Sequence, residues 1–141
     1  MADVTLETLD AHLTQLCEQN GIDRELSSRR GKAVRWRNST RRAIRIPPVK
    51  GQIGYFVGCH ELGHLLGPGR SAPRLEAEAN AWLWALENAI VEPTPATRQR
   101  IGARLHGYLL WAQNRQYRKI PPRIPADTHP FWVLHAWHEQ K

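Results

Sequence analysis

Apolar residues at Leu6, Leu9, Leu13 and Leu16 keep the three-and-four spacing of one helical face and predict an amphipathic helix over 4–19, stopped by Asn20-Gly21. The pattern then changes. Across 32–46, Ala33, Val34, Trp36, Ala43, Ile44 and Ile46 sit among alternating arginines, with Asn38-Ser39-Thr40 between the two runs, which predicts a β-hairpin closed by Pro47 and Pro48. Helical spacing returns over 51–66 (Ile53, Phe56, Val57, Leu62, Leu65, Leu66), with Gly67-Pro68-Gly69 as its stop. A third helix is predicted over 74–90 from Leu75, Ala79, Trp82, Leu83, Leu86 and Ile90, and a fourth over 97–116 from Ile101, Leu105, Tyr108, Leu109 and Ala112. Pro121, Pro122 and Pro125 enforce an extended stretch before a short, Trp-rich piece over 130–137 that packs back on the rest. The expected class is α+β: a mainly helical domain with a small antiparallel sheet or hairpin ahead of the second helix.

A chain of 141 residues has the length of one domain. Within it the pattern separates an N-terminal helix (1–21), a hairpin and helical core (30–90), and a C-terminal helix with its tail (91–141). The apolar runs around 53–59 and 79–86 fall short of the roughly 18 residues of a membrane span. Asp3, Glu7 and Asp10 stand where a secretory signal would be basic and then apolar, so the expected location is the cytoplasm, with no membrane partner. Cys17 and Cys59 are then expected as free thiols.

The net charge of +7 is segregated. Residues 1–25 carry six acids and one base; residues 24–50 carry ten bases, namely Arg24, Arg29, Arg30, Lys32, Arg35, Arg37, Arg41, Arg42, Arg45 and Lys50, against Glu25. Such a cationic hairpin could contact nucleic acid or an acidic protein. Direct nucleic-acid binding is not favoured, because no helix-turn-helix, zinc-finger or RNP-type signature accompanies the charge.

The residues that point to chemistry lie in the second helix: Cys59-His60-Glu61-Leu62-Gly63-His64-Leu65-Leu66. Four residues is just over one turn, so His60 and His64 project from one face and can hold one zinc ion. Glu61, about 100° around the helix from His60, can reach a water at that ion without binding the metal, which suits a general base. A catalytic zinc needs a third protein ligand and an open position. Two antiparallel helices joined by a short loop would bring the start of the third helix, Glu76-Ala77-Glu78-Ala79-Asn80, beside the first pair. Glu76 could be the ligand with Asn80, four residues on, as its hydrogen-bonding support; Glu78 is the alternative.

These two segments resemble the ImmA/IrrE family of zinc metallopeptidases, gluzincin-like proteins common in phages, mobile elements and bacterial stress regulation. The likeness covers roughly residues 30–90, including the hairpin that ends in Ile44-Arg45-Ile46-Pro47-Pro48. It implies His60, His64 and Glu76 as zinc ligands and Glu61 as catalytic base, with the exposed edge of the hairpin binding an extended substrate strand. The glutamate four residues before Asn80 is the family's choice, which favours Glu76 over Glu78. The implied activity is a zinc-dependent endopeptidase, with a DNA-binding helix-turn-helix repressor as substrate. The alternative function is a catalytically inactive protein of the same fold that binds nucleic acid or an acidic partner through the basic hairpin. Many members carry a further His where this chain has Gly67-Pro68-Gly69.

Other chemistry-bearing side chains have simpler expectations. His106, Tyr108 and Arg104 on the fourth helix are candidates for stabilising an oxyanion, and each is equally a structural or surface residue. Cys59 is expected as a small buried residue. His135 and His138, three apart, could form a second metal pair but read more simply as part of an aromatic cover. Trp82 is expected in the core, and Trp84 on a different face.

Overall fold

The computed structural model describes residues 4–27, 30–36, 39–68 and 71–140. Asn38 of the expected hairpin turn, Gly69 of the expected helix stop, and Arg29 and Arg37 of the basic segment lie outside these. The fold is α+β, with five α-helices and a small three-stranded mixed sheet placed before α2 in the chain. Its elements run α1 (Leu6–Gln19), β1 (Asp23–Leu26), β2 (Lys32–Arg35), β3 (Arg42–Ile46), α2 (Gln52–Leu66), α3 (Arg74–Asn88), α4 (Pro95–Gln113), α5 (Phe131–His135) and a final 3-10 turn (Ala136–Glu139).

Helix α1 starts where the Thr5 hydroxyl accepts a hydrogen bond from the Thr8 N–H, and ends where the Ile22 N–H returns to the Cys17 carbonyl. It buries Leu9, Leu13 and Cys17. Leu6, expected on the same face, is exposed because it stands in the first turn, beyond the edge of the core.

The expected hairpin is β2 and β3, antiparallel, with Ala33 opposite Ile44 and Val34 opposite Ala43. A third strand, β1, which the hydrophobic pattern does not reveal, pairs parallel to β3 on its other side, giving the order β1-β3-β2. Its sequence, Asp-Arg-Glu-Leu, carries no apolar alternation. Charge recruits it instead. Glu25 lies opposite Arg45 and accepts from its Nε at 2.8 Å, while Arg41 reaches both Asp23 (3.1 Å) and Glu25 (3.0 Å). Arg24 reaches back to Asp10 of α1 at 2.5 Å. The acidic first segment and the basic second one are thus partners. Such partly exposed pairs contribute little each, about 0–1 kcal/mol, but they set which strand lies beside which.

Helix α2 occupies the centre. Tyr55 through Gly63 are all buried, among helices α1, α3 and α4 and strands β2 and β3. At its end Arg35 of β2 donates to the carbonyls of His64 and Leu65, satisfying acceptors that the helix itself leaves unpaired. Helix α3 packs antiparallel to α2 closely enough that a Cβ on Gly63 would stand 2.5 Å from the Ala81 carbonyl oxygen and 3.0 Å from its Cα. Helix α4 is capped by Thr94, whose hydroxyl accepts from the Thr97 N–H; Gln52 of α2 accepts from the Thr97 hydroxyl and the Thr94 N–H. The tail from α5 onward lies against α4 and α3. No helix among the described residues is long and apolar enough to cross a membrane.

Both cysteines are buried without a disulfide. Burial pushes the thiol of Cys17 up to about 11 and that of Cys59 up to about 12. Two outcomes are expected. Neither thiol should react with iodoacetamide at pH 8 in the native state, and both should react in denaturant, read by mass spectrometry. Gly63→Ala, although alanine is the better helix former, should lower stability by about 1–3 kcal/mol in a urea titration, because the added methyl forces α2 from α3.

Candidate metal centre

Helix α2 carries His60, Glu61 and His64, and its contact with α3 decides what faces them. The backbone approach at Gly63 and Ala81 turns one side of α3 towards α2: Glu78, Ala81, Trp82 and Ala85, spaced i, i+3, i+4, i+7, all of them buried. Glu78 therefore points at the histidines. Its Oε2 lies 2.9 Å from His60 Nε2 and 3.2 Å from His64 Nε2, and the two imidazole nitrogens are 3.1 Å apart.

The structure reverses the expected order of the two glutamates. Glu76 stands two residues, about 200°, around the helix from Glu78 and pairs instead with Arg123 of the extended stretch at 3.8 Å. Asn80 shares the Glu76 side and makes no hydrogen bond to His60, His64 or Glu78, so the expected supporting contact is not formed. Glu76 and Asn80 share one face of α3, but it is the other face that close packing turns inwards.

The electrostatics follow from burial and from the shared carboxylate. Burial pushes the His60 imidazole down to about 4, against the opposing pull of Glu78, so it is neutral at physiological pH, as a metal ligand must be. For His64, burial also pushes downwards, but the hydrogen bond and charge of Glu78 outweigh it and the net direction is up. Burial of Glu78 would raise its carboxyl; the hydrogen bonds from both imidazoles prevail and hold it well below the usual carboxylate range. Glu61 is also buried, and desolvation lifts it to about 7 despite the charge of His64 and a hydrogen bond from the Ala33 N–H of β2. Strand β2 runs close by: a Cβ on Gly31 would lie 3.1 Å from Glu61 Cγ.

Residues with no sequence signature complete the surroundings. Trp82 stacks on the His60 ring with centroids 4.0 Å apart and planes at 26°. This stack orients the ring, since His60 Nδ1 has no hydrogen-bond partner among the described residues. Choosing Glu78 would have revealed Trp82, which lies one turn further on the same face. Arg74, one turn before Glu78, has its Nε 3.8 Å from Glu78 Oε1, and its guanidinium lies 5.3 Å from the centre of the Tyr108 ring. The Tyr108 hydroxyl is raised by burial and by the charge of Glu78, with Arg74 opposing. Arg104, one turn before Tyr108 on α4, acts electrostatically on His60 and Glu61. Of the three α4 candidates, Tyr108 lies beside Glu78 and Arg74, Arg104 is exposed and reaches the site only through its charge, and His106 turns to the C-terminal tail.

The donor set suits zinc. Two imidazole nitrogens and one carboxylate oxygen converge within 3.2 Å of one another, near the roughly 3.3–3.4 Å that bonds of about 2.0–2.1 Å at tetrahedral angles would give. Held by these three, a four-coordinate ion would keep one position open for water or substrate. Comparison of the chain with protein-family models, with curated proteins and with solved structures found no match. Only the geometry bears on whether these residues hold a metal. The test is zinc binding by equilibrium dialysis: Glu78→Gln should weaken uptake by more than the roughly 10- to 100-fold that loss of an outer partner costs, and Glu76→Gln should leave it near the parent value.

Proposed function

We propose that the protein is a zinc-dependent endopeptidase. The observation that carries this reading is the convergence of His60, His64 and Glu78 on one point beside the carboxylate of Glu61, along the edge of β2. His60, His64 and Glu78 would hold the ion. When bound there, zinc supplies Lewis acidity, polarising a peptide carbonyl and making water a nucleophile near neutral pH. Glu61 takes the proton from the attacking water and returns it to the departing amine, so peptide C–N cleavage balances with one water consumed. Its burial raises proton affinity in the direction that taking and returning a proton requires. Tyr108, beside Glu78, and Arg104, one turn earlier on α4, would be the side chains to meet charge developing on the carbonyl oxygen.

Strand β2 supplies a way to hold substrate. The Trp36 N–H bonds across to the Arg41 carbonyl of the β3 side, so by strand alternation the backbone groups of Ala33 and Arg35 face the opposite edge. The Ala33 N–H lies on that edge and lowers the proton affinity of the nearby Glu61 carboxylate. An extended peptide pairing there would lie across Glu61 and the ion. The resemblance of residues 30–90 to ImmA/IrrE metallopeptidases extends the proposal to a helix-turn-helix repressor as the protein cleaved, in a cytoplasm where both cysteines stay reduced. Binding of nucleic acid through the basic hairpin is the weaker reading, because Arg24, Arg41 and Arg45 already neutralise Asp10, Asp23 and Glu25.

The test incubates zinc-loaded protein with a purified helix-turn-helix repressor and follows the products by mass spectrometry. Glu61→Gln should keep the zinc and slow cleavage on the order of 10²- to 10⁴-fold. Cleavage by Glu61→Gln at the parent rate would remove Glu61 from the reaction.

A further inference from the structure

Three histidines far apart in the chain meet at the junction of α4 and the C-terminal tail, and the metal centre described above uses none of them. His106 comes from α4, His135 ends α5, and His138 lies in the 3-10 turn. Their contact depends on a glycine. A Cβ on Gly102, one turn before His106, would run into the His138 amide nitrogen and stand 2.6 Å from the Trp137 carbonyl carbon. Only glycine lets the tail backbone settle onto α4 at this level, which sets the His138 ring parallel to that of His106, with centroids 4.2 Å apart and planes at 4°.

The hydrogen bonding leaves lone pairs available for a ligand. His138 Nδ1 donates to the His135 carbonyl at 2.6 Å, which fixes its tautomer and leaves Nε2 as the unprotonated nitrogen. His106 Nδ1 and His135 Nε2 face each other at 3.0 Å. Without an ion, one of these two nitrogens must carry a proton for the other to accept; with an ion between them, both lone pairs are used. One nitrogen from each of the three rings lies within 4.8 Å of the others. Closing a shell around one ion requires the partly buried His106 and His138 rings to tilt out of their parallel stack and the nitrogens to draw in by up to roughly 1.5 Å. Phe131, stacked on His135 at 5.7 Å, and Trp132, edge-on to it at 5.5 Å, limit that ring on its apolar side. Glu139 lies 3.8 Å from His138 Nε2 and adds an acidic neighbour.

We infer that His106, His135 and His138 form a second binding site for a divalent transition metal, zinc being the fitting ion, which clamps the C-terminal tail to α4. Three neutral imidazoles are a borderline-soft donor set that suits zinc, copper or nickel and disfavours calcium or magnesium. The site is distinct from the first. His106 is two residues, about 200° around α4, from Tyr108, whose ring lies beside Arg74 and whose hydroxyl is under the charge of Glu78.

The experiment is a zinc titration of the full chain against a competing chromophore, with far-UV circular dichroism to establish folding. The variant His106→Gln/His135→Gln/His138→Gln should take up one equivalent fewer than the parent. His60→Gln/His64→Gln should retain an equivalent that vanishes when the three further substitutions are added. Because the first comparison is a difference, it stands even if the first centre binds no metal. Should the triple variant not fold, His106→Gln alone, at a partly exposed position, should weaken the equivalent retained by His60→Gln/His64→Gln at least 10-fold. Addition of zinc should raise the melting temperature of His60→Gln/His64→Gln, and this rise should be absent once His138→Gln is added. Equal uptake by the parent and the folded triple variant, or unchanged affinity in His106→Gln, overturns the inference.

Discussion

The contact between Gly63 and Ala81 governs the candidate metal centre. Because Gly63 has no side chain, the Ala81 backbone can lie against α2, and that approach fixes the rotation of α3 about its own axis. Every other feature of the centre is read from this rotation. Glu78 is turned inwards to both imidazoles, Trp82 is laid on His60, and Glu76 with Asn80 is turned away. A rotation of α3 by two residues would exchange the glutamates and leave His60 without its stacking partner.

Burial then gives the residues of the centre different characters. His60 and Glu61 are neighbours on one helix, both buried, yet desolvation favours neutrality in each and so moves them in opposite directions. Glu78 escapes this trend because two imidazoles hydrogen-bond to one of its oxygens. A neutral imidazole, an anionic carboxylate and a carboxyl group with raised proton affinity therefore coexist within one turn of α2 and the first turns of α3. The proposed metal-assisted hydrolysis would use this difference, which rests on packing and hydrogen bonding together.

Electrostatics does its main structural work elsewhere, in the sheet. Asp23 and Glu25 bring β1 alongside β3 by meeting Arg41 and Arg45, which leaves β2 as the edge beside α2. Arg35 then ties that edge to the last carbonyls of α2. The strand that would receive a substrate is consequently anchored to the helix that carries His60, Glu61 and His64. Much of the positive charge of the hairpin has this internal use.

Periodicity alone placed α1, the β2–β3 hairpin, α2, α3 and α4 within a few residues, because their apolar side chains recur at spacings that local sequence already displays, although α2 proves buried on every side. The same spacing put His60 and His64 on one face of α2 with Glu61 beside them. It could not reveal β1, whose four residues have no apolar alternation and are held by partners some twenty positions away. Nor could it choose between Glu76 and Glu78, since either lies within reach of a neighbouring helix and only the axial rotation of α3 separates them. His106 joins His135 and His138 for the same kind of reason: a glycine one turn earlier admits the tail backbone. The chain's local chemistry thus determined which groups could act. Close approach of backbones at Gly63 and Gly102, a property of paired surfaces that no single segment contains, decided which of them meet.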